Sequence, residues 1–213
     1  LYDDDGLVTQ AGDLVLTRDP ETGILTDTTL GVVTTHYDYS SFGELAAMTA
    51  SVSGAPIYET SYVRDRLGRI TTKVETIEGV TTTYVYGYDA AGRLDTVTID
   101  GSLAADYDYD PNGNRLQKWT PALTETGAYD DQDRMASYGD ATYTYTRNGE
   151  LLTKTDPEGT TTYDYDVFGN LLGVDLPDGT LIDYVVDARN RRIGRKENGA
   201  WAQKLLWQGQ LSP

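Results

Sequence analysis

The chain has no cysteine, one histidine, two phenylalanines and half as many basic residues as acidic ones. Without cysteine, no disulfide holds the fold together. With His36 as the only histidine, a histidine-rich metal site is excluded, as is a Ser–His–Asp triad built on any other histidine; within the strand Thr34 to Tyr39, His36 reads as a packed or surface residue. The 17 Lys and Arg against 34 Asp and Glu give a net charge of -17. That balance argues against nucleic acid and anionic membrane surfaces as partners, since both require clustered cations. The one basic cluster, Arg189, Arg191, Arg192, Arg195 and Lys196, reads as a solvated turn and strand face. No apolar run approaches the roughly 18 residues of a membrane span. Leu1 to Gln10 resembles no signal peptide. Phosphate-cradling glycine loops are absent too. Leu, Ile, Val and Phe make up only about a fifth of the chain, close to the border at which chains fail to fold.

What makes up the deficit is tyrosine, 17 residues of it, together with abundant threonine. Both suit a pleated, half-buried surface. The tyrosines are periodic. A template Tyr-x-Tyr-Asp-x-x-Gly-(Arg/Asn)-(Leu/Ile) runs through Tyr86, Tyr88, Asp89 and Gly92, through Tyr107, Tyr109, Asp110 and Gly113, and through Tyr163, Tyr165, Asp166 and Gly169. Looser copies hold Tyr37, Tyr39 and Gly43, then Tyr62, Asp65 and Gly68, then Tyr143, Tyr145 and Gly149. Two degenerate copies carry Tyr129 and Asp130 with Asp133 at the glycine position, and Tyr184 and Asp187 with Asn190 there. Tyr2 to Gly6 is a partial ninth copy. Glycine-equivalent positions 6, 43, 68, 92, 113, 133, 149, 169 and 190 are separated by 37, 25, 24, 21, 20, 16, 20 and 21 residues.

Each template position has a physical reason. Tyrosines two apart lie on one face of a strand, as Tyr84, Tyr86 and Tyr88 do. Asp accepts a hydrogen bond from the backbone two residues on. Glycine three residues later takes the left-handed conformation that closes a type I turn with a G1 bulge. Asn190 is tolerated at such a position, and Asp133 is a weaker substitute. Between these turns lies a second class, at Glu78-Gly79, Asp100-Gly101, Glu158-Gly159, Pro177-Asp178-Gly179 and Asn198-Gly199. The chain thus reverses about every ten residues. An all-β antiparallel meander of roughly 16 to 18 strands follows, without helix, curving or spiralling because so wide a sheet rarely stays flat. Residues 1–213 are expected to form one repeat array of eight to nine copies, cut at both ends. The long first interval, residues 1–36, is expected to hold an extra hairpin around Gly23.

Tyr86-Gly87-Tyr88-Asp89-Ala90-Ala91-Gly92-Arg93-Leu94 resembles the YD repeat of the Rhs, teneurin and toxin-complex proteins, and the resemblance covers essentially the whole chain. Trp201 to Pro213 is similar to the region shortly before the Rhs-associated core. The resemblance implies a β-ribbon spiralling into a hollow shell, of which this chain would be an arc of wall. It implies a secreted or cell-surface location. It also implies, as partners, the rest of the shell, an enclosed C-terminal polypeptide or toxin, and other toxin-complex subunits. The teneurin branch implies instead an extracellular adhesion scaffold for glycans or cell-surface proteins. Asp19-Pro20-Glu21-Thr22-Gly23 superficially resembles a stretch of the self-cleaving core, but it sits near the start of the array in a turn, so no protease role is carried onto it.

The remaining candidate sites have plainer readings. Asp108, Asp110, Asn112 and Gly113 match the first half of a calcium loop, yet the twelfth position is Trp119 rather than Glu, and the repeat turn already accounts for these residues. Asp3, Asp4 and Asp5 are read in the same way. No carboxylate pair stands out for glycosidic chemistry. The tyrosines read as cross-strand ladders, with stacking on sugars or a partner by Tyr, Trp119, Trp201 and Trp207 as the alternative. The expectation is a structural protein without catalytic site, cofactor or metal, whose open strand edges favour self-association of the isolated chain.

Overall fold

The structure is a computed structural model and describes residues 1–207; the part of the Trp201–Pro213 resemblance beyond Trp207 lies outside the described residues. Twenty strands carry the chain, with no helix among the described residues. They group into two compact units. The first, residues 1–107 with 119–123, holds β1 (Gln10–Ala11), β2 (Leu14–Arg18), β3 (Leu25–Leu30), β4 (Val33–Tyr39), β5 (Leu45–Val52), β6 (Ala55–Arg64), β7 (Ile70–Ile77), β8 (Val80–Tyr88), β9 (Leu94–Ile99) and most of β10 (Ser102–Tyr109). Each strand from β1 to β10 pairs antiparallel with the next.

The second unit, residues 108–118 and the chain from Thr124 onward, holds most of β11 (Arg115–Trp119). There follow β12 (Thr124–Tyr129), β13 (Met135–Tyr138), β14 (Ala141–Tyr145), β15 (Leu151–Asp156) and β16 (Gly159–Tyr165). The unit ends with β17 (Leu171–Asp175), β18 (Leu181–Val186), β19 (Arg192–Glu197) and β20 (Ala200–Lys204). Here too each strand from β12 to β20 pairs antiparallel with its successor.

The strand count exceeds the sequence-based expectation of roughly 16 to 18. In the long first interval Asp19 to Gly23 forms a corner between β2 and β3, one residue longer than the others: the Gly23 N–H donates to the Asp19 carbonyl and the Asp19 N–H to that of Ile24. Counting Gly23 divides the interval of 37 into steps of 17 and 20, the ordinary period. The copy escapes the template because Arg18 stands where tyrosine is expected.

The hairpins close differently at their two ends. At one end are two-residue loops. Ser53-Gly54, Glu78-Gly79, Asp100-Gly101 and Asn198-Gly199 have positive φ at both residues, the type I′ geometry. Two of the second-class turns differ from their expected form. Between β15 and β16 the loop is Pro157-Glu158, and Gly159 already pairs with Asp156. Pro177-Asp178-Gly179 adopts the corner geometry instead, with the Leu176 N–H on the Thr180 carbonyl and the Gly179 N–H on that of Leu176. Pro177 fixes φ for the first turn position, and Gly179 (φ 86) supplies the left-handed one.

At the other end are the corners. In each, the N–H of the left-handed residue donates to the carbonyl of the corner's first residue, as Gly92 does to Asp89 at 3.0 Å. A second irregularity, invisible in the template, follows eight of the corners. Gly87 pairs with Thr96 but Tyr88 pairs with Leu94, so Asp95 is an extra residue on the returning strand. The same one-residue offset occurs at Thr26, Ala46, Thr71, Ala136, Leu152, Leu172 and Ile193. Bulges bend a strand and increase its twist. Repeated at one margin, they coil each unit's sheet.

No enclosed core forms among the described residues. Among the described residues the buried apolar side chains are Ala105 and Val174, and none is fully buried. Each unit is a single layer with two unlike faces. Tyr37, Tyr39, Tyr62, Tyr84, Tyr86 and Tyr88 are half-buried on one face, while the alternating His36, Asp38, Val63 and Val85 lie exposed on the other. In the second unit Tyr143, Tyr145, Tyr163 and Tyr165 alternate with exposed Thr142, Thr144, Thr162 and Asp164. The rings do not form direct tyrosine–tyrosine pairs. Tyr86 lies opposite Val97, Tyr163 opposite Val174, and Lys73 stands between Tyr62 and Tyr84. The reason is that the template puts tyrosine only on strands entering a corner, and the partner strand is always a returning one.

At Gly92 (φ 85) a side chain would meet both the left-handed backbone and Arg69, whose Nη1 lies 3.2 Å from a Cβ built there. Gly92→Val should therefore cost roughly 1–3 kcal/mol. The exposed neighbour Ala90→Ser should stay within about 0.5 kcal/mol. Urea denaturation checks both.

Candidate functional site: the repeat corner

The residues that recur converge at the corners. In the Asp65, Asp89, Asp130 and Asp187 corners one carboxylate oxygen accepts the N–H of the residue four on, and the other binds that residue's guanidinium: Arg69, Arg93, Arg134 and Arg191. The Arg191 guanidinium holds the Asp187 carboxyl at about 2, and the Arg189 and Arg191 N–H groups add to it. At Asp110 and Asp166 the amides of Asn114 and Asn170 replace the guanidinium and lower the carboxyl in the same sense. Two corners reverse the polarity. Ser40 and Thr146 stand for Asp, their hydroxyls accept the backbone N–H, and the partner four residues on is Glu44 or Glu150.

Several successive corners touch, the side chain following the left-handed residue of one lying over the left-handed residue of the next; Gly149 has open space there instead. A Cβ on Gly23 would be 3.0 Å from Leu7 Cδ1, on Gly43 3.7 Å from Ile24, and on Gly68 3.1 Å from Glu44 Oε1. Where the overlying residue is asparagine the rule changes. Asn114 donates to Asp133 Oδ1 at 2.7 Å, Asn112 adds a bond at 2.9 Å, and Asn170 donates to Asn190 Oδ1 at 3.0 Å. Asp133 and Asn190 (φ 59 and 58) are thus held by the preceding corner. Asp133 was expected to be a weak substitute for glycine; the two amides compensate its strain.

A second contact explains the second tyrosine of the template. Between one repeat and the next the strands part before they reach the corner. Pairing of β7 with β8 ends at Thr72–Val85, yet β8 runs on to Tyr88. Ile70, two residues before the last pair, has its carbonyl stranded in the wedge, and the Tyr88 hydroxyl donates to it at 2.7 Å. Tyr39 serves the Leu25 carbonyl and Tyr145 that of Met135, both at 2.8 Å; Tyr129 serves Arg115 at 3.1 Å.

The donor need not be tyrosine. Arg64 Nη1 reaches the Leu45 carbonyl at 2.8 Å, Arg18 Nε that of Val8 at 3.3 Å, and Trp207 Nε1 that of Arg192 at 2.9 Å. These three are functional positions that the tyrosine template misses. Their signal is positional: each stands immediately before the corner's first residue or three residues past the last ladder pair. The preceding corner's arginine often stacks on the clamp ring, Arg69 over Tyr88 at 4.4 Å and Arg134 over Tyr145 at 4.9 Å.

Tyrosines farther from the corner have another surrounding. Tyr84 lies under Lys73 Nζ at 5.0 Å and Tyr184 under Arg192 at 3.8 Å, while Tyr37, Tyr62, Tyr86, Tyr143 and Tyr163 line the same faces. Lys73 bonds the Glu75 carboxylate, which also accepts from Tyr58 at 3.0 Å. The lysine bond lowers the Glu75 carboxyl, while burial first and then Glu75 raise the Tyr58 phenol.

The other candidates resolve into structure. Asp110 is occupied by Asn114, and Asp3 accepts the N–H groups of Asp5 and Leu7. Among the described residues no group of three or more His, Cys, Asp or Glu is placed to hold a metal ion. His36 lies at the surface between Asp27 (2.7 Å) and Asp38 (3.3 Å), and the bond to Asp27 raises its pKa.

A family model for the teneurin YD-shell matches residues 1–213. Among curated proteins, Teneurin-4 of Mus musculus is 28% identical over 175 residues, and Teneurin-3 of Mus musculus 29% over 168. These alignments cover 80% and 76% of this chain but 6% of either relative, so the chain spans a small part of the proteins it matches. Among solved structures, the Photorhabdus luminescens Tc holotoxin pore aligns over 87% of this chain and 12% of its own, with TM-score 0.62 and 13% identity. TcdB2–TccC3 without its hypervariable C-terminal region gives 0.63 and 14%, over 87% of this chain and 12% of that one. At such identity these two likenesses speak to fold alone.

Two outcomes follow from this geometry. Tyr88→Phe keeps the ring and removes only the donor, so stability should fall by about 1 kcal/mol, with Ile70 the amide region whose hydrogen exchange accelerates most. The corner carboxyls are depressed below the ordinary unfolded value near 3.9, so their contribution is complete above that value and lost as pH falls through it. The urea midpoint should hold down to about pH 5 and drop toward pH 2. Asp187→Asn should lower the midpoint at neutral pH and make the acid slope shallower.

Proposed function

The chain belongs to the teneurin YD-shell family, and from that premise we propose that it is a segment of shell wall that encloses a polypeptide carried by the same protein. The observation that supports this reading is the absence of an enclosed core among the described residues, combined with side-chain clamps at most of the corners. A single layer of paired strands has no interior in which to assemble a catalytic pocket, but its continuous ladders make a barrier. The clamps close most of the margin at which the ladders would otherwise open, the wedge at Val186 being left open. Exposed Thr, Asp and Glu on one face present a hydrated surface to which an unfolded segment gains little by adhering.

The proposal includes an extracellular or cell-surface setting and further subunits of a toxin-complex-like assembly. Among the described residues no helix is long and apolar enough to cross a membrane. An adhesive role is a second reading, favoured by the apolar corner tips Phe42, Val167 and Phe168, which are 90%, 90% and 77% exposed. In the intact parent protein, a polypeptide within the shell should be digested by added protease far more slowly than after deletion of this segment. Equal digestion would overturn enclosure. Loss of cell or glycan binding on changing the three tips to serine, with protection unchanged, would support adhesion instead.

A further inference from the structure

One wedge is built like the others but lacks its plug. Between β17 and β18 pairing ends at Gly173–Asp183, and by register the acceptor is the Leu171 carbonyl and the donor position is residue 186. That residue is Val186, which has no hydrogen to donate. Its side chain is also far smaller than the tyrosine, arginine or tryptophan found at the clamped wedges. The result is a surface cleft lined by Asn170, Leu171, Val186, Asn190 and Arg192. Among the described residues no side chain donates to the Leu171 carbonyl.

We propose that this cleft is a receptor notch for a tyrosine side chain presented by a separate polypeptide segment. The chemistry of the occupant is read from the sister wedges, where the same carbonyl, reached from the same register, binds a tyrosine hydroxyl four times: from Tyr39, Tyr88, Tyr129 and Tyr145. Two sister wedges take arginine and one takes tryptophan. Here Arg192 lines the cleft, so a second guanidinium would meet a like charge, whereas a neutral phenol would not. The arginine that stacks on the clamp ring at Tyr88 and Tyr145 precedes the acceptor residue, a place held here by Asn170, while Arg192 enters the cleft lining from the returning strand. Burying a ring and satisfying a stranded carbonyl are the two gains that distinguish this cleft from a general apolar dip.

The test is a two-dimensional amide NMR titration of the chain with N-acetyl-tyrosinamide, and with N-acetyl-phenylalaninamide, which differs only by the hydroxyl. The tyrosine probe should produce saturable shifts centred on Leu171, Asn190 and Arg192, and the phenylalanine probe should bind at least several-fold more weakly. Val186→Tyr should abolish these shifts by filling the notch from within and should raise the urea midpoint. Tyr88→Val should create the converse, a new saturable site at Ile70, and it decides the matter if Val186→Tyr does not fold. Equal binding of both probes, shifts that persist in folded Val186→Tyr, or no saturable shift at these residues would overturn the proposal.

Discussion

Everything in this protein depends on the splaying of neighbouring strands at one margin and on the hydrogen bond that fills the gap. The extra residue after a corner turns the returning strand away from the next strand, and the ladder stops. A backbone carbonyl is left without a partner in a partly covered place, which costs on the order of 1–3 kcal/mol if nothing answers it. At most wedges the residue before the next corner answers it with a side-chain donor. Because each such donor comes from the following repeat, those repeats are completed by their neighbours. This is the energetic form expected of a one-dimensional array, in which stability resides in the junctions as much as in the units.

The same margin explains how a chain so poor in aliphatic residues holds together. A single layer cannot remove much apolar surface from water, and the burial of Ala105 and Val174 alone would not support a fold. The protein uses tyrosine instead, which covers area with its ring and offers a donor at its tip. Aspartate–arginine pairs within the corners and cations stacked on rings are distributed along the chain rather than gathered. Individually such exposed interactions are weak. Repeated at each period and tied to the backbone N–H groups of the turn, they fix the corner geometry on which the clamp depends.

The polarity reversals support the view that geometry, not charge sign, is what the corner requires. Ser40 with Glu44 and Thr146 with Glu150 do the work of Asp with Arg. Likewise the left-handed position accepts Asp133 and Asn190 only where Asn114 and Asn170 precede them. Val186 supplies neither a donor nor a ring, whereas Tyr165 at the preceding wedge at least brings its ring. That is why the cleft at Val186 stands open.

The sequence by itself determined the all-β class, the antiparallel meander, the place of most corners and the family resemblance. These depend on local chemistry: period-two tyrosines, an aspartate that accepts the N–H groups ahead of it, and a glycine three residues on that can turn left-handed. Only the tertiary structure decided three other things. It showed that the turn at Asp19 to Gly23 carries a clamp of its own, since the role of Arg18 is visible only against the Val8 carbonyl. It placed tyrosines opposite Lys73, Val97 and Val174 rather than opposite one another, since strand order sets what faces what. It also located the clamps, because acceptor and donor lie 10 to 19 residues apart and the bulge between them leaves no mark on side-chain periodicity. Turn chemistry is written within four residues; the contact between one turn and the next exists only after the chain has folded back.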